Sequence, residues 1–482
     1  MILVLVLLPA ACAVLCLALP ARWALAAHGT GAVATLVLAA TLARQVLSSG
    51  LATAAADGTF RADGLGVTFA VVVAAAAAVA ALSGMGSFET QGEAAPLARR
   101  YAVLASALLS ALLATVLADN LGVMWISMEL AAVLGAFLVG FRRDRGALEA
   151  AFKYMILGSA GLVLGLLAMS FVYKAGIQAL GHGDSALSFQ ALKKAGPSLA
   201  PGTLRIALAL AAAGYGVKIG LFPLHTWKPD AYAAAPAPVA GLLAGGAVAV
   251  PLCALLRFGA LASAAGEGQL TSRLLVGAGV VSVLAAMILV VRETDLRRIL
   301  AFTSVEHMGF AAMAFGLDPM AMRGGLLHLL ANGTLKALAF SLLGYVARER
   351  GTSDTQRGPG LFGRSVGLSA MFLVTMAAAL GFPPFGLFAS ELTVLRALYA
   401  GGHVAIGLVV TLSLAAVFGV VATGVLRVVF ARSDESLPGA RGSLADTAAV
   451  AVPTLAAMAW VGVAMPPGLW NQLLAVAREF AP

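Results

Sequence analysis

The chain has 482 residues, of which 61% are hydrophobic and only 11% are charged. A soluble protein carries about a quarter charged residues and needs a polar exterior, so this composition excludes a soluble globular enzyme and a disordered chain. The net charge of +9 fits the Lys and Arg residues that orient membrane helices, and it does not predict a nucleic-acid partner.

The apolar residues occur in runs of roughly twenty, the length of a helix that crosses about 30 Å of hydrocarbon. This pattern excludes an outer-membrane β-barrel and predicts an all-α integral membrane protein with about fourteen transmembrane helices. The predicted spans are 2–20, 30–48, 65–84, 101–118, 121–141, 152–173, 203–222, 238–258, 272–292, 297–316, 322–347, 367–399, 403–430 and 447–465.

The first run, from Met1 to Pro20, has the length of a signal peptide but no basic start, and a second apolar run follows at once. We therefore expect it to be retained as the first membrane helix. Cys12 and Cys16 lie in this run without a neighbouring His or Asp, and Cys253 lies in another run. We interpret all three cysteines as packing residues and expect no metal site there.

The twelfth predicted span is too long for one crossing and is interrupted by GFPPFG, from Gly381 to Gly386. Pro383 and Pro384 have no backbone N–H to donate, and the glycines permit non-helical turns. Irregular backbone is tolerated at membrane depth only where protein or water satisfies the freed backbone groups. The helix is therefore predicted to be broken beside an interior cavity, with Glu391 facing the protein interior.

The loops predict the orientation of the chain. If both termini face outside, the inner loops carry more Lys and Arg than the outer ones, with a dense group from Arg142 to Arg145. Because cytoplasmic loops are enriched in these residues, both termini are predicted to face the periplasm of a bacterial-type inner (cell) membrane. No polar stretch is longer than a loop, so chemistry is expected within the membrane or in a partner chain.

Titratable residues recur inside the predicted spans, where a charge costs at least about 2.5–3.5 kcal/mol. They are Glu129 in the fifth span, Lys218 in the seventh, Glu306 and His307 in the tenth, His328 and Lys336 in the eleventh, and Glu391 in the twelfth. His328, Asn332 and Lys336 are spaced four residues apart, which predicts one polar stripe along a helix face.

We interpret these residues as a proton relay, because they alternate in sign and include histidine, the side chain that titrates nearest to neutral pH. Ion pairs that only orient helices are the alternative. His225, seven residues after Lys218, joins the relay if the seventh helix extends past Pro223. Lys228, farther along, is interpreted as a surface charge on a loop, and His182 as an ordinary residue of a polar loop.

Other chemistries lack their motifs. The sequence has no Walker loop, no His/Cys metal constellation, no GxGxxG after a strand and no nucleophile elbow. A membrane enzyme that acts on lipid or quinone would therefore have no catalytic constellation here.

Six segments resemble the antiporter-like, proton-conducting membrane subunits of respiratory complex I, of Mrp-type cation/proton antiporters, and of membrane-bound nickel–iron hydrogenases and formate hydrogenlyase. They run from Asp119 to Glu129, Ala151 to Tyr154, Lys218 to Ala231, Asp295 to Gly309, His328 to Leu338 and Gly381 to Glu391. The resemblance covers about residues 65–430. The forms EHMG at 306–309 and PPFGLF at 383–388 look most like the hydrogenase and formate-hydrogenlyase branch.

The resemblance implies two inverted five-helix repeats, each with a broken helix at its centre. It divides the chain into three N-terminal helices over 1–100, a first repeat over 101–260, a second repeat over 261–432, and a C-terminal helix with its tail over 433–482. The family's ionisable positions fall on Glu129, Lys218, His307, His328 and Glu391, which implies a hydrated polar axis with two half-channels.

The sequence departs from the family pattern in three respects. Ala249 stands where many relatives have a lysine in the eighth helix, and Asn332 replaces a second histidine in the eleventh. In the third, Tyr232-Ala-Ala replaces the usual His-Ser-Glu after Pro-Asp-Ala, and Lys228 replaces a common apolar residue. Because alanine cannot titrate, the relay is interrupted at Ala249 unless water bridges it.

The resemblance and the buried charges together predict a proton-translocating membrane subunit of a redox-driven complex of the hydrogenase, formate-hydrogenlyase or NADH–quinone oxidoreductase type. Its expected partners are other membrane subunits, a peripheral redox arm that holds any iron–sulfur clusters or nickel–iron centre, and the lipid bilayer. No cofactor or metal is expected in this chain, and it is not expected to be a complete enzyme alone. The alternatives are a subunit of a multisubunit cation/proton antiporter and a structural family member that no longer conducts.

Within the relay, Glu129 and Lys218 are expected to interact across the fifth and seventh helices, because opposite charges in apolar spans stabilise each other when close. Lys218 is flanked by Gly214, Gly216 and Gly220, which permit local unwinding and water entry. We expect Lys218 to control turnover by switching between its charged and neutral forms.

Overall fold

A computed structural model describes residues 1–88, 90–91, 95–431 and 444–482. Most of the described chain lies in α-helices, and a short antiparallel hairpin of β1 (Thr53–Ala55) and β2 (Phe60–Ala62) joins α2 to α3. The helices are α1 (Ile2–Ala18), α2 (Ala21–Ser49), α3 (Gly64–Met85), α4 (Ala95–Leu117), α5 (Leu121–Val139), α6 (Arg145–Leu180), α7 (Phe189–Lys194), α8 (Pro201–Ile219), α9 (Trp227–Ala234), α10 (Ala237–Leu242), α11 (Val250–Ala264), α12 (Gly268–Val290), α13 (Leu296–Phe315), α14 (Pro319–Arg350), α15 (Val366–Ala379), α16 (Gly386–Ala400), α17 (Val404–Phe430), α18 (Leu444–Ala464) and α19 (Pro467–Phe480).

Among the described residues, eleven helices are long and apolar enough to cross a membrane. The other predicted spans correspond to α1, to α13, which carries charged residues, and to the pair α15 and α16. The all-α, multi-pass membrane fold is therefore confirmed. The count of fourteen spans and the inverted symmetry of the two repeats stay predictions.

Polar side chains fix where several helices begin. Asp63, Asn120, Asp144, Asp295 and Asp318 each accept a hydrogen bond from a first-turn backbone N–H, at the start of α3, α5, α6, α13 and α14 respectively. These N–H groups have no partner within their own helix, and leaving one unsatisfied away from water is costly. Short acidic or amide side chains at these positions therefore set the helix boundaries.

The seventh predicted span is interrupted near its end. α8 stops at Ile219, Gly220 adopts a left-handed φ of +69°, and residues 221–226 form a turn that leads into α9. His225 lies in this turn, so the condition under which it would share a helix face with Lys218, a helix that extends past Pro223, is not met. Farther along, a π-helical segment, Leu243–Ala247, separates α10 from α11.

The predicted break from Gly381 to Gly386 is confirmed, because α15 ends at Ala379 and α16 begins at Gly386. The Ala377 carbonyl accepts from the Phe382 N–H at 3.0 Å, one residue farther along than in an α-helix. The broken helix thus satisfies a freed carbonyl locally, as membrane burial demands.

Glycines let the helices that carry the candidate site approach their neighbours. Gly161 on α6 faces the Gly214 carbonyl of α8, and a Cβ on Gly161 would lie 2.6 Å from that oxygen. Gly309 on α13 faces the Gly279 carbonyl of α12, where a Cβ would lie at 2.8 Å. Lipid provides no hydrophobic force between helices, so such close van der Waals packing drives their association.

α14 lies at the centre of the bundle. Its most apolar stretch is 94% buried, whereas the corresponding stretches of α17 and α18 are 28% buried. Because α14 has no free lipid-facing side, the charged groups on it must be accommodated by protein groups or by water within the bundle.

Candidate functional site

Lys218 lies in the last turn of α8 and is 8% exposed. Its Nζ donates to the Tyr154 hydroxyl at 3.4 Å and lies 4.5 Å from the centre of the tyrosine ring. Gly158 on α6 makes room for the amine, since a Cβ there would lie 3.0 Å from Nζ. Within the described residues no carboxylate pairs with Lys218, so a hydroxyl and an aromatic face hold its charge.

Glu129 on α5 is half-buried and meets the same turn of α6. Its Oε1 accepts a hydrogen bond from the Ser159 hydroxyl at 2.9 Å, while Oε2 is buried without a partner among the described residues. Glu129 and Lys218 form no direct ion pair, but their contacts, Ser159 and Gly158, are adjacent in sequence. The predicted interaction between these two charges stays a prediction. Glu129, Tyr154, Ser159 and Lys218 are called the Lys218 cluster below.

His225 is 7% exposed and stacks on Phe222, with ring centroids 5.4 Å apart. Its Nδ1 is buried and has no hydrogen-bond partner among the described residues. Lys228, in the first turn of α9, is 0% exposed. The expectation that Lys228 is a surface charge is wrong, because the turn after α8 directs the chain back into the bundle.

His307 on α13 and His328 on α14 lie side by side. His307 Nδ1 is 3.2 Å from His328 Nε2, and His328 Nδ1 is 3.0 Å from the Ser390 hydroxyl of α16. Both imidazoles are buried, with exposures of 3% and 0%. Each ring can donate with one nitrogen and accept with the other, so these contacts form a hydrogen-bonded chain across three helices.

Lys336 lies two turns after His328 on α14 and is 1% exposed. Its Nζ donates to the Leu300 carbonyl at 3.3 Å and also contacts the Thr303 hydroxyl, both on α13. Glu306, 2% exposed on α13, is close enough for its charge to interact with that of Lys336. A carboxyl group on α13 and an amine on α14 are therefore buried on neighbouring helices.

Glu391 on α16 faces the interior, as predicted. Its carboxylate overlies Gly381, which has a φ of +74° and where a Cβ would overlap the carboxylate oxygens. Ligand atoms of Glu391, His307 and His328 lie within 4.8 Å of one another. Lys336, Thr303, His307, His328, Ser390 and Glu391 are called the histidine cluster below.

The three residues His307, His328 and Glu391 have the ligand types that could hold a metal ion. Both ring nitrogens of His328 already have hydrogen-bond partners, so a metal would have to displace one of them. The same groups can exchange a proton without any ion. Cys12, Cys16 and Cys253 are free thiols. The Cys16 thiol donates a hydrogen bond to the Ala24 carbonyl.

Several buried polar atoms of the site have no protein partner among the described residues. They are Glu129 Oε2, His225 Nδ1, His307 Nε2 and both side-chain polar atoms of Asn332. Buried polar groups are almost always hydrogen-bonded to protein or to ordered water. Asn332, between His328 and Lys336 on α14, is therefore a position where water is expected within the bundle.

The sequence did not single out the hydroxyl groups that connect these charges. Tyr154, Ser159, Thr303 and Ser390 are uncharged, and Ser and Thr are common in membrane helices, so no local signal distinguishes them. Arg257, near the end of an apolar run, is a further buried charge that the sequence-based relay does not include.

Arg257 on α11 is 0% exposed and joins three parts of the bundle. Its Nη1 donates to Asp63 Oδ2 at 2.9 Å, Nη2 donates to the Val116 carbonyl at 3.2 Å, and the guanidinium lies 4.7 Å from the Phe189 ring centre. The charge is thus paired and hydrogen-bonded. The Arg257–Asp63 ion pair holds the start of α3 against α11. Its partners named here belong to neither cluster.

Asp230 on α9, outside the apolar spans, links the two halves of the chain. It accepts from Lys153 of α6 at 3.0 Å and from Arg298 of α13 at 2.8 Å. Burial alone would raise the pKa of Asp230, but hydrogen bonds from the two cations outweigh it and lower the pKa below its ordinary value.

A family model described as NADH:quinone oxidoreductase/Mrp antiporter, transmembrane, matches residues 118–419, which is more than half of the chain. A hydrogenase-4 component F homolog of Methylacidiphilum infernorum is 34% identical over 306 residues, which cover 63% of this chain and 64% of the relative. NADH-quinone oxidoreductase subunit N of Desulforudis audaxviator is 29% identical over 294 residues, which cover 60% and 57%. These matches span less than two thirds of either relative.

The fold is similar to chains of three solved complexes. A chain of the membrane-bound sulfane sulfur reductase, an archaeal respiratory membrane complex, superposes with a TM-score of 0.86 at 22% identity, covering 100% of this chain and 97% of that one. For the Mrp complex of a Dietzia species the TM-score is 0.84 at 17% identity, with 99% and 97% covered. Respiratory complex I of Thermus thermophilus gives 0.80 at 21% identity, with both chains fully covered.

Proposed function

Since the chain belongs to the NADH:quinone oxidoreductase/Mrp antiporter transmembrane family, we propose that it translocates protons as a membrane subunit of a redox-driven complex. The complex would be of the membrane-bound hydrogenase, formate-hydrogenlyase or NADH–quinone oxidoreductase type. The relatives named hydrogenase-4 component F and NADH-quinone oxidoreductase subunit N support this assignment. The chain itself would carry the proton path and no redox centre.

The histidine cluster is the observation that carries the proposal. A purely structural role would be served by apolar side chains, which pack in the bundle without the desolvation cost of buried ionisable groups. Instead, two imidazoles, a hydroxyl and a carboxylate meet, with one histidine pair at 3.2 Å. A proton that arrives on one nitrogen of an imidazole can leave from the other, so this arrangement suits transfer along α13, α14 and α16.

The Lys218 cluster supplies a second site of proton exchange in the first half of the chain. Its amine is held by a hydroxyl and an aromatic ring rather than by a carboxylate. Neither partner would be left as an uncompensated charge when the amine loses its proton, so the amine can alternate between charged and neutral forms. Movement of charge on Glu129, across the same turn of α6, would bias that equilibrium.

The proposed setting follows from the same family. Partner membrane subunits would lie alongside this chain in the inner (cell) membrane, a peripheral redox arm would hold the electron carriers, and both termini would face the periplasm. The fold is about as similar to a chain of an Mrp complex, with a TM-score of 0.84, as to chains of the two respiratory complexes, with TM-scores of 0.86 and 0.80. A cation/proton antiporter subunit is therefore the second candidate. A family member that only supports the assembly is the third.

The test uses the membrane complex purified through a tag on this chain and reconstituted in proteoliposomes. Hydrogen and NADH are supplied in turn with a water-soluble quinone analogue, and proton uptake is recorded together with electron transfer. Lys218→Met is expected to lower the proton-to-electron ratio by at least about tenfold, the effect of removing a positioned proton-transfer group. Lys218→Arg should fail as well, because arginine does not release its proton.

The matched control is Lys174→Met, which removes an exposed lysine of α6 and should leave the ratio unchanged. Subunit composition of each variant complex is compared by gel, since the variants are expected to assemble. A wild-type ratio in Lys218→Met contradicts the relay and favours the structural role. Proton movement driven by a sodium gradient, without electron transfer, would favour the antiporter.

A further inference from the structure

Lys228 is a fully buried amine outside both clusters. Its aliphatic stem crosses Gly220, the residue after α8, where a Cβ would overlap the stem and displace it. The left-handed φ of +69° at Gly220 favours glycine there as well. Lys228 Nζ lies 3.3 Å from the Ser304 carbonyl and 3.5 Å from the Ser304 hydroxyl. Within the described residues these are its hydrogen-bond partners, and no carboxylate pairs with it.

A lysine in this environment is expensive if it serves packing alone. A buried cation normally requires an opposite charge, and a neutral carbonyl with a hydroxyl compensates only part of the lost hydration. Lys336, a nearby ionisable group that affects Lys228, carries a charge of the same sign when protonated. By contrast Arg257, which is also fully buried, has its carboxylate at 2.9 Å. The unpaired amine therefore calls for a role that a paired structural cation does not have.

Lys228 contacts residues that lie close in sequence to members of each cluster. Its stem lies on Gly220, two residues after Lys218, and its amine reaches Ser304. Ser304 follows Thr303, whose hydroxyl contacts Lys336. This side chain starts on α9, passes the residue that follows α8, and reaches α13 beside the histidine cluster.

The irregular segment between α10 and α11 has no titratable group that could carry a proton between the two clusters. It comprises the π-helical Leu243–Ala247 and continues to Ala249, which is 1% exposed. Alanine and glycine side chains cannot bind a proton. The amine of Lys228 on α9 would supply the titratable group that this segment lacks.

We propose that Lys228 is a proton-carrying residue that connects the Lys218 cluster to the histidine cluster, in place of an ionisable residue at Ala249. This inference rests on the proposed proton-translocating function. An N–H bond of protonated Lys218 or His225 breaks, and its proton forms an N–H bond at the neutral Nζ of Lys228. One N–H bond of Lys228 then breaks, and the proton passes the hydroxyls of Ser304 and Thr303 to form an N–H bond at the neutral Nζ of Lys336, which returns Lys228 to its neutral form.

The test compares variants in the reconstituted complex, with the electron donor that supports wild-type turnover. Lys228→Met is expected to lower the proton-to-electron ratio by at least about tenfold, as for other positioned proton-transfer groups. Lys228→Arg keeps a long cationic side chain but holds its proton, and it is expected to fail equally. Lys174→Met, on the surface of α6, should behave like the wild type.

Two outcomes overturn the inference while leaving the proposed function intact. The first is a wild-type ratio in Lys228→Met together with loss in Lys218→Met. The second is a wild-type ratio in Lys228→Arg, which would mean that the site needs only a charge; this variant also decides the matter if Lys228→Met does not assemble. If the wild-type complex moves no protons with any donor, both the proposed function and this inference fail.

A double variant tests the connection to α11. Ala249→Lys in the Lys228→Met background returns an amine to the interior from the interrupted helix. Partial recovery of the proton-to-electron ratio is expected. No recovery in an assembled complex counts against the claim that Lys228 stands in for an amine at Ala249.

Discussion

The Lys218 cluster and the histidine cluster hold buried charge in different ways. In the Lys218 cluster the amine and the half-buried carboxylate each have a single hydroxyl partner, and Glu129 Oε2 has none among the described residues. In the histidine cluster the two imidazoles, a hydroxyl and a carboxylate converge. All residues of this cluster except Glu391 are buried. The ionisable groups of the first cluster therefore have few protein partners, whereas the imidazoles of the second contact each other and a hydroxyl directly.

This difference follows from the helices that carry each group. α14 is buried almost throughout, so His328 and Lys336 have neighbours on every side. α5 and α6 are only partly buried, and their polar residues lie closer to the surface of the bundle. A contact made by protein alone cannot be replaced when one partner is removed, whereas a hydrated contact can be repaired by another water molecule.

The largest effect is expected from removing the amine of the histidine cluster. In Lys336→Met the contacts with Thr303 and the Leu300 carbonyl are lost in a part of the bundle with little room for replacement. The proton-to-electron ratio in proteoliposomes should fall by at least about tenfold. Lys194→Met, which changes an exposed lysine of α7, is the matched control. A ratio near that of the wild type would remove Lys336 from the path.

A smaller effect is expected from the Lys218 cluster when only its hydroxyl is changed. Ser159→Ala removes the 2.9 Å hydrogen bond to Glu129, and a water molecule can take the place of the hydroxyl beside a half-buried carboxylate. The ratio should fall by about threefold. Ser159→Thr keeps a hydroxyl and should remain near the wild type. A loss as large as that in Lys336→Met would mean that the two clusters do not differ in hydration.

The smallest effect, a change in thermal stability, is expected from removing the ion pairs of Asp230, which link the two halves of the chain at the surface. Asp230→Asn removes ion pairs with Lys153 and Arg298, whose side chains are 46% and 36% exposed. Exposed ion pairs contribute little, so the thermal midpoint in detergent at pH 7 should fall by no more than about 2 °C.

The difference in thermal midpoint between the wild type and Asp230→Asn is expected to depend on pH. The pKa of Asp230 is lowered in the folded protein, so its contribution is present at neutral pH. That contribution is lost as the pH falls below about 4 and the carboxylate becomes protonated. The gap between wild type and Asp230→Asn should therefore narrow in acid. Glu149→Gln, which changes an acid that is 62% exposed beside Lys153, should produce no measurable gap at any pH.

Much of the fold and part of the site were predictable from the sequence. Apolar run length predicted the membrane helices, because a helix must match the hydrocarbon thickness. The two prolines predicted the break before α16, because neither can donate a backbone hydrogen bond. Glu306, His307, His328, Lys336 and Glu391 were identified because a charge in an apolar run is costly and therefore conspicuous.

The sequence by itself determined that the chain is a helical membrane protein with titratable groups inside it, since composition and run length leave no other way to solvate its surface. Only the tertiary structure decided which of those groups meet. His225 and Lys228 follow a helix in the sequence and therefore look like loop residues. The turn at 221–226 nevertheless directs Lys228 into the interior, where its stem lies over Gly220, which has no side chain. Side-chain contacts across helices depend on how the helices pack, and no local pattern in one helix encodes its neighbour.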